Sequence, residues 1–156
     1  MIKLILIFSS LLIIGCNNNN SIIDPFKIEF ETTSFDVVQK QLIIEPELPN
    51  HLNTLISQWF NYSVKINGFD GEMKFIISDF IQDISSIDDG KRIDLTISFK
   101  VLLNKPSLSQ TKIIQGNASS FGELTGKFSL AEFDKVIENT QSDLILRISR
   151  DLKSKI

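Results

Sequence analysis

One cysteine and one histidine occur among the 156 residues, and each scarcity closes off a line of chemistry. A disulfide needs a second thiol, so the fold must hold by burial alone. A zinc centre of ordinary composition draws on several His and Cys, which the lone Cys16 and His51 do not furnish. The same count removes a cysteine–histidine nucleophile. No serine sits in a G-x-S-x-G elbow, and neither G-x-G-x-x-G nor a Walker phosphate loop occurs. Basic charge is also short. Against 19 Asp and Glu stand 16 Lys and Arg, a net charge of −3, which leaves no electrostatic footprint for nucleic acid. No apolar run reaches the ~20 residues a bilayer-spanning helix needs. The expectation is a protein without cofactor or metal, and not an enzyme.

What is present begins at the N-terminus. Lys3 precedes an apolar run from Leu4 to Ile14, broken only by Ser9 and Ser10, the layout of a signal peptide. The run ends in Ile13-Ile14-Gly15-Cys16, which resembles the bacterial lipobox. That resemblance implies cleavage after Gly15 and a Cys16 acylated, with palmitate among its chains, as the mature N-terminus. It also implies a cell-envelope location on the periplasmic side. Asn17 in place of Asp after the cysteine points to the outer membrane under the enteric sorting rule. Residues 1–15 then form the signal peptide, 16–25 a lipidated polar tether containing Asn17 to Asn20, and 26–156 one domain.

The domain opens on alternation. Phe26, Ile28 and Phe30 interleave with Lys27, Glu29 and Glu31, the period of a half-buried strand. β character continues through Phe35 to Val38 and Leu42 to Ile44, as one bulged strand or two short ones, until Pro46 and Pro49 stop it. A helix starting at Pro49-Asn50 is expected next. Leu52, Leu55, Ile56, Trp59, Phe60 and Ile66 lie on one side, and Asn67-Gly68 closes its C-terminus. Glu72 to Ile84 reads as the second strand, with a register change near Asp79, and Ser85 to Lys91 as a hairpin connection.

The third strand is the clearest. Ile93, Leu95, Ile97, Phe99, Val101 and Leu103 alternate with Asp94, Thr96, Ser98, Lys100 and Leu102, so the sheet is covered on one side only. Thr111 to Phe121 makes a weaker fourth strand. A long helix from Leu130 to Lys155 ends the chain. Ser129 and Glu132 form its capping box, with Phe128 and Phe133 as hydrophobic staple. Leu130, Phe133, Ile137, Leu144, Ile148 and Leu152 mark its apolar stripe, and Phe133, Ile137, Leu144 and Ile148 are expected against strand three. The order is β-α-β-β-β-α, an α+β two-layer sandwich: a mostly antiparallel four-stranded sheet with two helices on one face.

The remaining polar residues have bland readings. Asp88-Asp89 belongs to a turn with Gly90, and Asp79 and Asp83 to a solvated strand end. The sequons at Asn61 and Asn117 read as chance, and Trp59 as core. The candidate interaction surface is the polar face of strand three, Asp94, Thr96, Ser98 and Lys100, with the Ser- and Asn-rich strand four beside it.

The Trp-bearing helix, the segment Asn67-Gly68-Phe69-Asp70-Gly71-Glu72-Met73 and the terminal helix resemble small bacterial lipoproteins of an uncharacterised family. The architecture is also similar to the lipopolysaccharide-assembly lipoprotein and the auxiliary lipoproteins of ABC transporters. That implies a lipid-anchored adaptor or assembly factor for an envelope protein complex. The alternative is a small-molecule or lipid-binding lipoprotein, with Phe75, Phe99, Phe121 and Phe133 lining a pocket between sheet and helices.

Overall fold

The computed structural model describes residues 30–156. The expected signal peptide, Cys16, the expected tether and the Phe26–Ile28 start of the first expected strand lie outside the described residues. The elements are β1 (Thr33–Phe35), β2 (Gln39–Ile44), α1 (Asn50–Ser63), β3 (Val64–Ile66), β4 (Glu72–Ile87), β5 (Gly90–Lys105), β6 (Gln110–Thr125) and α2 (Leu130–Ser154). The main sheet runs β2-β4-β5-β6, and β1 pairs with β3 as a separate two-stranded sheet. This is the expected α+β sandwich. β2 lies parallel to β4, as a strand–helix–strand crossover requires, and β4, β5 and β6 form an antiparallel meander.

Alternation on β5 makes the inner face. Ile93, Leu95, Ile97, Phe99 and Val101 are buried, and Met73, Phe75 and Ile77 of β4 join them. A bulge at Ser78 then moves the register, from Ile77 opposite Phe99 to Phe80 opposite Ile97. Without that extra residue the rest of β4 would present its other face to the core. The expected change near Asp79 is this bulge. α1 packs on β4, with the Trp59 ring edge-on to Phe75 at 5.2 Å, and Phe75 stacks on Phe99 at 5.2 Å.

α1 is shorter than its apolar spacing suggests. It ends at Ser63, and Ile66 stands in β3. Asn67-Gly68 is therefore not its C-terminal cap. Lys40, projecting inward from β2, does that work. Its ammonium donates to the carbonyls of Phe60 (2.8 Å), Asn61 (3.2 Å) and Val64 (2.5 Å) and sits 4.7 Å from the Phe60 ring centre. A cation at a helix C-terminus satisfies orphan carbonyls and complements the dipole. Burial, and secondarily Lys65, pull the Lys40 pKa below its ordinary value. Released from the helix, Val64-Lys65-Ile66 pairs with Thr33-Ser34-Phe35. The early β region is thus two short strands in two different sheets.

α2 starts on the expected capping box. The Glu132 amide donates to Ser129 Oγ (3.3 Å), and the Ser129 amide donates to Glu132 Oε2 (2.7 Å). Phe128 and Phe133 stack at 6.2 Å. The stripe itself differs from expectation. Leu130 is 75% exposed, Phe133 and Ile137 are half-buried, and Leu144, Ile145, Ile148 and Leu152 are fully buried. The helix also lies mainly over β6, with strand three only its lesser neighbour. The reason is on β6, whose inner face carries Gly116, Ala118, Ser120 and Gly122. A Cβ on Gly122 would stand 2.3 Å from Thr140 Oγ1, so only this backbone lets the helix come so close.

Strand four is therefore no weak element. It spans 16 residues and its inner half is covered, so Gly116 and Ser120 do not belong to an exposed face. The hairpin between β4 and β5 is tighter than expected: Ile87 pairs with Gly90, leaving Asp88-Asp89 as a two-residue turn.

Candidate functional site

The face of the sheet opposite the helices has no covering layer among the described residues. The structure brings all four expected residues together there. Asp94, Thr96, Ser98 and Lys100 alternate with buried neighbours on β5, one of the two interior strands of the main sheet. At ~3.3 Å per residue the row is about 20 Å long.

At one end a charged cluster is built across two strands. Arg92 donates from Nε and Nη2 to the two Asp94 carboxylate oxygens at 2.8 and 2.9 Å, and from Nη1 to Glu123 at 2.9 Å. The bidentate contact holds the Asp94 carboxyl below the usual carboxylate range and the guanidinium above its own ordinary value. The same guanidinium lies 4.3 Å from the Phe121 ring centre. Next along, the Thr96 and Ser119 hydroxyls meet at 3.0 Å.

Beyond them a hollow of about 360 Å³ opens among Ser78, Ser98, Lys100, Gln115, Asn117 and Lys155. Lys155 reaches over the free edge of β6 to donate to the Gln115 carbonyl at 2.9 Å.

Sequence reasoning missed an apolar component of this face. Ile43, Ile76, Leu102 and Ile113 point away from the core, with Ile43 opposite Ile76 and Leu102 opposite Ile113. They form a diagonal row crossing all four strands. The signal was available. Leu42-Ile43-Ile44, Phe75-Ile76-Ile77, Val101-Leu102-Leu103 and Ile113-Ile114 are unbroken apolar runs, and period 2 obliges one member of each to face outward. Ile113 is 57% exposed, and farther along the same face Ile81 and Phe121 are each 56% exposed.

The four phenylalanines expected to line a pocket are dispersed. Phe75 and Phe99 are core, Phe121 stands on the open face, and Phe133 is half-buried on α2. An apolar hollow of about 350 Å³ exists elsewhere, between Phe35, Val37, Leu103, Leu108 and Ile156 at the end where α2 finishes. Among the described residues no three His, Cys, Asp or Glu are placed to hold a metal ion, and no helix is long and apolar enough to cross a membrane. His51 lies half-buried in the first turn of α1.

No protein-family model and no curated protein matches the sequence. Solved structures do resemble it, and they are small bacterial lipoproteins. The minor lipoprotein of Acinetobacter baumannii superposes with a TM-score of 0.53 at 9% identity, over 76% of this chain and 93% of that one. Rare lipoprotein B of Shewanella oneidensis gives 0.41 at 12% identity, covering 75% and 95%. The uncharacterised lipoprotein B of Nitrosomonas europaea gives 0.42 at 12% identity, covering 83% and 94%. At such identities the first likeness shows a shared fold alone, and the other two are looser. What the chain shares with the first of them is thus the fold of a small α+β domain.

Proposed function

We propose that the chain is a lipid-anchored envelope lipoprotein, held at the outer membrane by Cys16, whose domain acts without catalysis as an adaptor or assembly factor. The observation that carries the binding role is the uncovered sheet face. A meander of three 16-residue strands holds a polar row and an aliphatic diagonal rigidly toward solvent. A mixed surface of that kind fits a protein partner, because apolar contacts supply area and the Arg92–Asp94–Glu123 cluster and Lys100 set register. The anchor rests on the lipobox resemblance, and the outer membrane on Asn17.

Affinity capture of the lipidated protein from its native envelope tests the role. Leu102→Glu combined with Lys100→Glu alters only outward-facing side chains, so folding stays intact and an envelope partner is lost at least about tenfold. Retention of every partner at wild-type level would remove this face as the docking surface.

A further inference from the structure

Phe69 is 99% exposed, the most exposed large apolar side chain among the described residues. It lies in the Asn67-Gly68-Phe69-Asp70-Gly71 segment, which neither the core nor the sheet face uses. The segment is pinned on both sides. The Asn67 amide donates to the Phe35 carbonyl at 3.0 Å and the Gly68 amide to Val37 at 3.1 Å, while the Val38 amide donates to Gly71 at 3.2 Å. A Cβ on Gly68 would stand 2.4 Å from the Val37 nitrogen, so the two backbones touch. From the other side, the Asp70 carboxylate accepts the Ser107 amide at 3.1 Å. A fixed loop thus keeps a phenyl ring in water.

Its surroundings join apolar and charged side chains, with Asp36, Asp70 and Lys105 lining the hollow beside it. Leu108, 57% exposed on the turn after β5, shares a hollow with Phe69. The adjoining apolar hollow adds Ile156, 51% exposed, with Lys105 and Lys112 at its rim. Lys105 pairs with Asp36, and Lys112 has no ion-pair partner among the described residues. The opposite end of the sheet carries more acid than base, with Asp83, Asp88 and Asp89 around the β4–β5 turn against Lys91.

The described chain also enters at the apolar end. The Glu31 carbonyl accepts the Ser149 hydroxyl at 3.2 Å, and its carboxylate meets Lys153 at 2.6 Å, both on the last turns of α2. From there to Cys16 is a stretch of about 14 residues, spanning at most ~50 Å.

We infer that this tip is the membrane-facing end of the domain: Phe69 and Leu108 enter the headgroup–acyl boundary of an anionic lipid surface, and Lys112 meets lipid phosphate. The inference rests on Cys16 being the lipid anchor. Two apolar side chains bind a bilayer weakly when free, but an anchor makes the contact intramolecular and effective. The acidic end then points away from the anionic surface. The sheet stands upright, and its open face is left free for a lateral partner.

The test uses the full lipidated chain in vesicles of phosphatidylethanolamine and phosphatidylglycerol, with or without brominated acyl chains. Phe69→Trp and Phe121→Trp are the reporters, and Trp59, at 1% exposure, is a constant background. Bromine should quench Phe69→Trp emission at least about twofold, leaving Phe121→Trp nearly unchanged. Adding Lys112→Glu should reduce the quenching. Protein that floats with the vesicles but quenches no more at position 69 than at 121 overturns the tip while the anchor stands. That outcome includes a tip covered by a second copy or by another protein. Protein that fails to float and carries an unmodified Cys16 thiol removes the anchor, and this inference with it.

Discussion

Two polar side chains act at a distance from their own elements, and each makes a testable claim. Lys40 sits on a strand and finishes a helix, through three carbonyls. Lys40→Met keeps the aliphatic stem but leaves those carbonyls without a donor. The expected cost is about 1–2 kcal/mol in urea unfolding, the scale of a charged contact at a helix C-terminus. A loss below ~0.3 kcal/mol would mean water caps α1 equally well.

Asp143 joins α2 to the sheet edge. Burial opposes its ionisation, but the Ser120 hydroxyl at 2.7 Å and Arg147 at 2.7 Å outweigh that and lower its pKa. A carboxyl lower in the folded than the unfolded state adds stability above its unfolded pKa. That stability is lost as pH falls through the folded value. Asp143→Asn should therefore lower stability at neutral pH and flatten its decline in the acid range. Parallel pH–stability curves for the two proteins would refute this.

At the scale of elements, α2 divides in two. Its first three turns are half-buried or exposed, and its last four are sealed onto β6. Leu144→Ala, at a fully buried position, should cost about 2–5 kcal/mol. Phe133→Ala removes a half-buried ring and should cost roughly 1–2 kcal/mol, well under the ~3–5 of a fully buried phenylalanine. The reverse order in thermal or urea unfolding would mean the helix is seated one turn differently. Gly122→Ala tests the same packing from the strand side. Its methyl would fall on Thr140, and the helix must lift at a cost of about 1–3 kcal/mol.

For the whole molecule, the governing asymmetries are covered face against open face, and apolar tip against acidic end. Cys16→Ser should release the protein from membranes or leave it unprocessed, read by fractionation and by intact mass. An unmodified Cys16 thiol in native protein would defeat the anchor. Loss of the anchor alone should leave the unfolding free energy within about 1 kcal/mol of the wild type, because the core lies within residues 35–152.

Local chemistry carried a good part of the result. The α+β order, the buried row of β5, the capping box of α2 and the one-sided sheet were legible, because periodicity and capping are properties of neighbouring residues. So was the polar row Asp94, Thr96, Ser98 and Lys100, since period 2 assigns a strand's faces without reference to its partners. Tertiary structure decided the rest. α1 stops at Ser63 because a lysine from another element reaches its carbonyls. Val64 to Ile66 becomes strand because residues some 30 positions away offer a ladder. α2 seats on β6 because small residues there admit a backbone. Phe69 is held off the domain's own core because bonds from two other segments fix its loop. Each of these depends on what a distant stretch of chain brings alongside, and spacing along one stretch carries no record of it.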